Sequence, residues 1–426
     1  MLEIKFLREN PDTVKAGLRK RNYDDDALKI VDEAIAIDTD RRQSQTTLDK
    51  LLAESNQSAK RIGQLYREGQ REEADKLKAE VASAKSKIKE LEAHLTKVES
   101  DLENVLLSIP NVPNELVPFG KGEEDNEVFQ DWPEPLPDLG EGALAHWDLA
   151  KKYNIIDFGL GAKISGSGFA LFRGKGAKLE RALINFFLEE AEKAGYEEII
   201  PPLLVNEASA RGTGQIPDKE GQMYYAEKDD LYLIPTAEVP VTNIYRDVIL
   251  DNEDFSIKMT GYTPCFRREA GAHGSEVRGL NRVHQFDKVE IVRIEHPKNS
   301  YKVLDEMLDH VRGLLQKLEL PYRILRLCGG DTGFTSALTY DFEVYSAAQK
   351  RWLEVSSVSN FETYQSNRLK LRYRDANGKR HLAHTLNGSA LALARIVAAI
   401  LENNQTEEGI LIPKALVPYT RFEKIG

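Results

Sequence analysis

The most regular hydrophobic pattern in the chain lies between residues 74 and 106. Leu77, Val81, Ala84, Ile88, Leu91, Leu95, Val98, Leu102 and Val105 recur at alternating intervals of four and three. This is the a/d seam of a coiled coil, and neither Pro nor Gly interrupts it. A weaker seam precedes it. Ala34, Ile37, Leu48, Leu51, Ile62 and Leu65 keep the same register, with Arg41, Ser44, Ser55 and Ser58 at the intervening positions. Between the two seams, Arg67-Glu68-Gly69-Gln70-Arg71 supplies a glycine at which the chain can reverse. Two helices of roughly 40 residues, rising ~1.5 Å per residue, would form an antiparallel hairpin about 60 Å long. Such seams also build dimers between chains; the glycine break favours pairing within one chain.

The pattern then changes. Six of the 17 prolines fall between Pro110 and Pro137, beside the acidic run Glu123 to Asp125, which reads as an extended connector. From about residue 140, Lys178 to Lys193 has the spacing of an amphipathic helix ending at Gly195. Strand-like alternation follows near 231–234, 262–269, 282–294, 322–328, 340–346 and 352–358, with Ser346 to Lys350 as a hairpin turn. Consecutive strands with short breaks predict a mainly antiparallel sheet with flanking helices, an α+β fold. The expected organisation is a helical domain over 1–108, a linker over 109–138 and a mixed domain over 139–426.

Charge refines this picture. A net charge of −11 argues against nucleic-acid binding by the chain as a whole. From Lys60 to Lys97, however, ten Lys/Arg face seven Asp/Glu, so the helical part carries a local excess of cations. The start of the chain bears Glu3, Lys5, Arg8 and Glu9 and lacks a signal-peptide core. Ala390 to Leu401, the most apolar stretch, is twelve residues long and broken by Arg395, too short to span a bilayer. Cys265 and Cys328 are too few for a disulfide framework or a paired-cysteine zinc site. A cytoplasmic protein with no membrane partner and no zinc is expected. Neither GxGxxG nor GxxxxGK[ST] occurs, so a dinucleotide or P-loop fold is not supported.

Three stretches place charge where a scaffold has little use for it. Arg267-Arg268-Glu269 ends one strand-like run, and Arg282 through Glu290 forms the next. In regular strands Arg267 and Glu269 would share a face, as would Arg282, Phe286 and Glu290. The paired faces would set an anion-binding arginine, an aromatic plate and a carboxylate in one concavity, or would be a solvated, salt-bridged sheet surface. The long glycine-containing segment Ala270 to Asn281 joins them. Third, Arg395 stands alone in an apolar helix. Burying it requires an anion, either a carboxylate of the chain or a phosphate, whose oxygens suit the guanidinium fork.

Together these stretches resemble the three signature motifs of class II aminoacyl-tRNA synthetases. Helix 178–193 with Gly195 to Pro202 resembles motif 1; Cys265 to Glu269, the loop and Arg282 to Phe286 resemble motif 2; Asn387-Gly388-Ser389 through Arg395 resembles motif 3. Within that class the chain resembles the bacterial-type seryl-tRNA synthetase family. The resemblance rests on Leu7 to Pro11, the hairpin, Ile109 to Pro113, Thr236-Ala237-Glu238, His284 to Glu290, Glu354 to Ser357 and His384 to Ser389. It implies ATP-dependent activation of L-serine and transfer to tRNA(Ser), and to tRNA(Sec) where that is present.

The resemblance also implies roles. Arg267 would hold the α-phosphate and the serine carboxylate. Glu269 would read the adenine amino group, with Phe286 stacked on the ring and Arg268, Val283, Val355 and Ser356 lining the ATP site. Arg282 and Arg395 would meet the outer phosphates, and Glu354 and Ser357 would hold Mg2+. Thr236, Ala237, Glu238, Glu290 and Ser389 would surround serine. tRNA would be gripped by the arm and the motif 2 loop, and a homodimer would form through motif 1. In that loop Ser275 stands where many relatives carry a basic residue, which puts the loop's acceptor-stem contacts in question. Glu354 and Ser357 have opposite parity, so both can face the same ligand only across a bulge. A carrier-protein ligase on the same catalytic domain would have no use for the basic hairpin. A catalytically dead tRNA-binding relative would not need Arg267, Glu354 and Arg395.

Overall fold

The computed structural model describes residues 1–218, 221–269 and 277–426. The segment that includes Ser275 lies outside the described residues. The chain folds as two compact units. One comprises Leu2–Arg19 and Tyr23–Pro110; the other comprises Met1, Lys20–Asn22 and Asn111–Gly426.

The first unit is dominated by helix α1, Lys29–Arg67, and helix α2, Arg71–Ser108, packed against each other. Every seam residue of α2 from Leu77 to Val105 is buried or half-buried, and the residues between them are exposed. The seam of α1 from Ala34 to Leu65 is likewise buried or half-buried, its four polar positions included, and off the seam Asp38 is buried as well. Intrachain pairing therefore covers the seam. The chain reverses at Gly69, whose φ of +79° a residue with a Cβ adopts only at a cost. Buried Asp38 accepts hydrogen bonds from Arg8 at 2.6 Å and Arg41 at 2.8 Å. These bonds hold its carboxyl below the usual value against the opposing effect of burial.

The second unit is built on an eight-stranded sheet: β1 Glu127–Gln130, β2 Glu197–Glu198, β3 Ser256–Phe266, β4 Gln285–Glu295, β5 Tyr322–Arg326, β6 Leu338–Ser346, β7 Arg351–Glu362 and β8 His384–Ala392. The spatial order is β1-β5-β6-β7-β8-β4-β3-β2, antiparallel throughout except for the edge pair β2 and β3. Within the proline-rich stretch, β1 thus forms an edge strand. Helices α4 Lys175–Lys193, α5 Ser300–Lys317 and α6 Leu393–Asn403 contribute to one apolar cluster with Val289, Ile291, Phe342, Leu353 and Val358 of the sheet. A shorter helix, α3, spans His146–Lys152. Among the described residues no helix is long and apolar enough to cross a membrane.

Two strand ends differ from the sequence expectation. β3 stops at Phe266 and β4 begins at Gln285. Arg267, Arg268, Glu269 and Arg282 consequently lie beyond the ladder, and strand parity does not set their directions. Glu269 adopts a φ of +48°, which breaks the alternation there.

Candidate functional site

The open face of the sheet collects the polar residues of its central strands. On β4, Val289 and Ile291 point into the apolar cluster, so Lys288 and Glu290 point away from it. Glu290 is the cross-strand partner of Ser389 on β8, and the two side chains meet at 3.5 Å. Its carboxylate also accepts from Thr236 Oγ1 at 3.2 Å and Asn387 Nδ2 at 2.8 Å, and it pairs with Lys288 Nζ at 2.7 Å. Glu238 stands nearby, buried, accepting from Gln365 Nε2 at 2.6 Å; Thr385 Oγ1 supports that amide at 2.7 Å. Burial, and then the charge of Glu290, push the Glu238 carboxyl up to about 7. The carboxyls of Glu238 and Glu290, with the hydroxyls of Thr236 and Ser389 and the amides of Asn387 and Gln365, therefore form one polar recess, suited to an ammonium and a hydroxyl.

Arg267 adjoins this recess. Its Nε donates to Pro235 O at 3.4 Å, and its guanidinium lies 5.4 Å from the Phe286 ring centre. On the further side Arg282 pairs with Glu269. Arg395 donates from Nε to Asn281 O at 2.9 Å and from Nη1 to Glu354 O at 2.7 Å; the Glu354 carboxylate is farther off, at 3.5 Å. Both alternatives for Arg395 thus have support. A carboxylate of the chain is within reach, yet the guanidinium is held mainly by carbonyls and stays 31% exposed.

The hairpin β6–β7 resolves the parity conflict. Asp341 pairs with Ser357 and Glu343 with Glu354, while the register slips by one residue at Val355. That bulge turns Glu354 and Ser357 to the face shared with Asp341 and Glu343. Asp341 Oδ1 is buried without a hydrogen-bond partner. Burial and then the charge of Glu354 push the Asp341 carboxyl well above its usual value. An orphaned carboxylate oxygen beside Glu354 and Ser357 fits a hard cation. Among the described residues no group of three or more His, Cys, Asp or Glu side chains could hold a metal ion.

The helical unit is matched over residues 1–113 by the family model described as the seryl-tRNA synthetase N-terminal domain. Residues 223–404 are matched by that of the class II tRNA synthetase core domain (G, H, P, S and T). A serine–tRNA ligase of Salinibacter ruber is 50% identical over 428 residues, covering 100% of this chain and 99% of the relative. The chain belongs to the seryl-tRNA synthetase family. Among solved structures, the seryl-tRNA synthetase of Pyrococcus horikoshii complexed with ATP aligns with a TM-score of 0.93 at 35% identity, over 100% of this chain and 99% of that one. The cytoplasmic serine–tRNA ligase of Naegleria fowleri in complex with AMP aligns with a TM-score of 0.87 at 27% identity, over 100% and 98%.

Of the residues singled out from the family motifs, Thr236, Glu238, Glu290 and Ser389 line the polar recess. Arg267 with Phe286, Glu269 with Arg282 and Arg395 with Glu354 meet in pairs, and Ser357 shares the Glu354 face. Others point elsewhere. Arg268 donates to Met223 O at 3.0 Å and lies 5.1 Å from the Tyr224 ring centre. Val283 and Val355 join the apolar cluster, Ala237 is wholly buried in another, and Ser356 Oγ donates to Ser389 O at 2.6 Å. Sequence reading missed Lys288, Asn387, Gln365, Thr385 and Asp341. Parity with Glu290 and Ser389 could have flagged the first two. Gln365 comes from the distant helix Tyr364–Leu369 and had no local signal.

Proposed function

We propose that this site joins the carboxylate of L-serine to the α-phosphorus of ATP and then passes the seryl group to the terminal ribose hydroxyl of tRNA(Ser), or of tRNA(Sec) where that is present. The observation that carries the reading is the position of Arg267. It adjoins the acidic recess through Pro235 and the aromatic plate through Phe286, so one guanidinium can serve both the serine carboxylate and the α-phosphate.

The recess of Thr236, Glu238, Glu290 and Ser389 receives the ammonium and hydroxyl of serine, and Phe286 stacks on adenine. Glu269 accepts from the adenine amino group once Arg282 turns to the outer phosphates, which Arg395 also meets. Glu354 and Ser357 would hold Mg2+, with Asp341 behind them; the ion supplies charge neutralisation at the phosphates. Serine carboxylate attacks the phosphorus in line and pyrophosphate leaves. The work of the chain is positioning and charge stabilisation by arginines, with no covalent protein intermediate. The tRNA is gripped by the helical arm, where the cations between Lys60 and Lys97 lie, and by the segment joining Glu269 to Arg282. A homodimer through the motif 1 region agrees with Ile200, 89% exposed, and with Leu203 and Leu204, exposed a few residues on. The expected compartment is the cytoplasm.

Serine-dependent ATP–pyrophosphate exchange, with alanine, threonine and glycine as controls, tests the reading. Exchange with serine alone among the four is expected; exchange indifferent to the amino acid overturns it.

A further inference from the structure

One buried network has no part in the chemistry above. His146 and Glu402, both 0% exposed, meet at 2.6 Å between Nδ1 and Oε1. Glu402 also accepts from the His146 backbone N–H at 2.8 Å, from Gln349 Nε2 at 2.9 Å and from Ser346 Oγ. On its other side the imidazole accepts: the Leu280 backbone N–H donates to His146 Nε2 at 2.8 Å. A backbone amide can only donate, so Nε2 carries no proton and Nδ1 carries it, directed at Glu402. The ring is neutral and held in one tautomer from both ends.

The contact is shaped for this ring. Gly279 has a φ of +68°, and a Cβ there would lie 2.3 Å from His146 Nε2. Only a glycine lets the turn approach the imidazole so closely. The adjoining residue Asn281 is 3% exposed and exchanges hydrogen bonds with Gln349, which itself donates to Glu402, while Asn281 O receives Arg395. Arg278 lies 4.7 Å from the ring centre of Trp147, the neighbour of His146. Residues 278–281 are thus seated by the His146-Trp147 pair and by groups from α6 and the β6–β7 turn, immediately before Arg282.

We propose that His146 is a positioning residue of the activation site. Its Nδ1-protonated imidazole, oriented by Glu402, fixes the backbone at Leu280 and so aims Arg282 and the Asn281 carbonyl that holds Arg395. The inference rests on the proposed ATP site. Its first consequence, an ordered 279–282 turn, can be read without activity.

The amide nitrogen of Asn can replace Nδ1, and the amide oxygen of Gln can replace Nε2. His146→Gln therefore keeps an acceptor for Leu280, whereas His146→Asn keeps only the bond to Glu402. In the full-length protein, His146→Asn is expected to raise KM for ATP about tenfold, the scale of a mispositioned binding group, with kcat less affected. His146→Gln is expected to restore most of the loss. Deuterium uptake over residues 277–284 should rise in the Asn variant and not in the Gln variant. In the unaltered protein, 15N spectra of labelled histidine should show the ring assigned to His146 fixed as the Nδ1-protonated form. That measurement stands even if a variant does not fold. A folded Asn variant with unchanged KM for ATP and unchanged uptake, equal behaviour of the two variants, or absence of the Nδ1-protonated signal would overturn the proposal. If unaltered protein lacks serine-dependent exchange while uptake and tautomer behave as expected, the function proposed for the site fails and the positioning of the turn stands.

Discussion

At the scale of single residues, the two carboxyls of the recess differ in ways that can be measured. Glu290 is engaged by Lys288, Thr236, Asn387 and Ser389, so its orientation is set before any ligand arrives. A site built to hydrogen-bond a substrate hydroxyl can reject the analogue lacking it by ~10⁴–10⁵. Glu290→Ala is therefore expected to lose serine-dependent exchange by at least ~10³ while ATP binding, read by calorimetry, changes little. Alanine activated by the unaltered protein within about a hundredfold of serine would contradict this account of selectivity. Glu238 is the pH-sensitive member, with its carboxyl pushed up to about 7 by burial and the Glu290 charge. Below that pH it is neutral and would lose the pairing proposed with the serine ammonium. KM for serine should therefore fall as pH rises from 6 to 8, and Glu238→Gln should flatten the profile at a weaker level. The same shift has a stability consequence of opposite sense. Between the ordinary carboxyl value and about 7 the folded state binds the extra proton, so the ligand-free protein loses stability as pH rises through that window. Thermal melts with and without serine should show the loss and its reversal by the ligand.

At the scale of elements, legibility in the sequence follows periodicity. The arm seams can be read residue by residue because a coiled-coil repeat persists over many turns, and the glycine between them favours the intrachain partner. The β6–β7 bulge is legible for a different reason: Glu354 and Ser357 can share a face only if the strand slips, and the slip occurs at Val355. Strand ends are not legible, because extended chain beyond a ladder has the same alternation as the ladder itself. Strand parity thus misdirects Arg267 and Arg282, although they reach the same site. Gln365 and Thr385 are invisible in the sequence because tertiary packing alone brings them behind Glu238. Helix α4 holds a further example. Its core-facing stripe includes Glu180, 7% exposed, with Oε2 unpartnered. Burial and then the charge of Asp287 raise the Glu180 carboxyl well above its usual value. A carboxyl so raised lowers stability as pH climbs above the unfolded value. Glu180→Gln removes that liability and is expected to raise Tm by a few degrees at pH 8, with the gain shrinking toward pH 5. A Tm lowered at both pH values would mean that the carboxylate has a partner the glutamine cannot serve.

At the scale of the whole molecule, the proposed function divides its tasks between the two compact units. The residues proposed to bind serine and ATP all lie between Thr236 and Arg395, within the unit that contains Asn111–Gly426. The arm helices belong to the other unit and bury their seams against each other, so neither needs the sheet to cover it. Replacing residues 30–105 by a short glycine linker should therefore leave serine-dependent pyrophosphate exchange within about threefold of the full chain, the spread expected of a change that leaves the reacting groups in place. Aminoacylation of tRNA(Ser) should collapse, because in the proposed function the arm grips the tRNA and so places its acceptor end. The electrostatic part can be separated from the geometric part. Reversing the charge of Lys60, Arg61, Arg67 and Arg71 removes cations but leaves the seam untouched, since Lys60, Arg61, Arg67 and Arg71 are all exposed. Every phosphate left without its cation lowers the slope of log affinity against log salt by about 0.7 to 0.9. The quadruple variant should therefore bind tRNA more weakly at low salt and with a flatter salt dependence, while its circular dichroism keeps the helical signal of the arm. Equal loss of exchange and aminoacylation on deletion would show that the arm also shapes the catalytic unit. An unchanged salt slope after charge reversal would move the phosphate-binding cations to another surface.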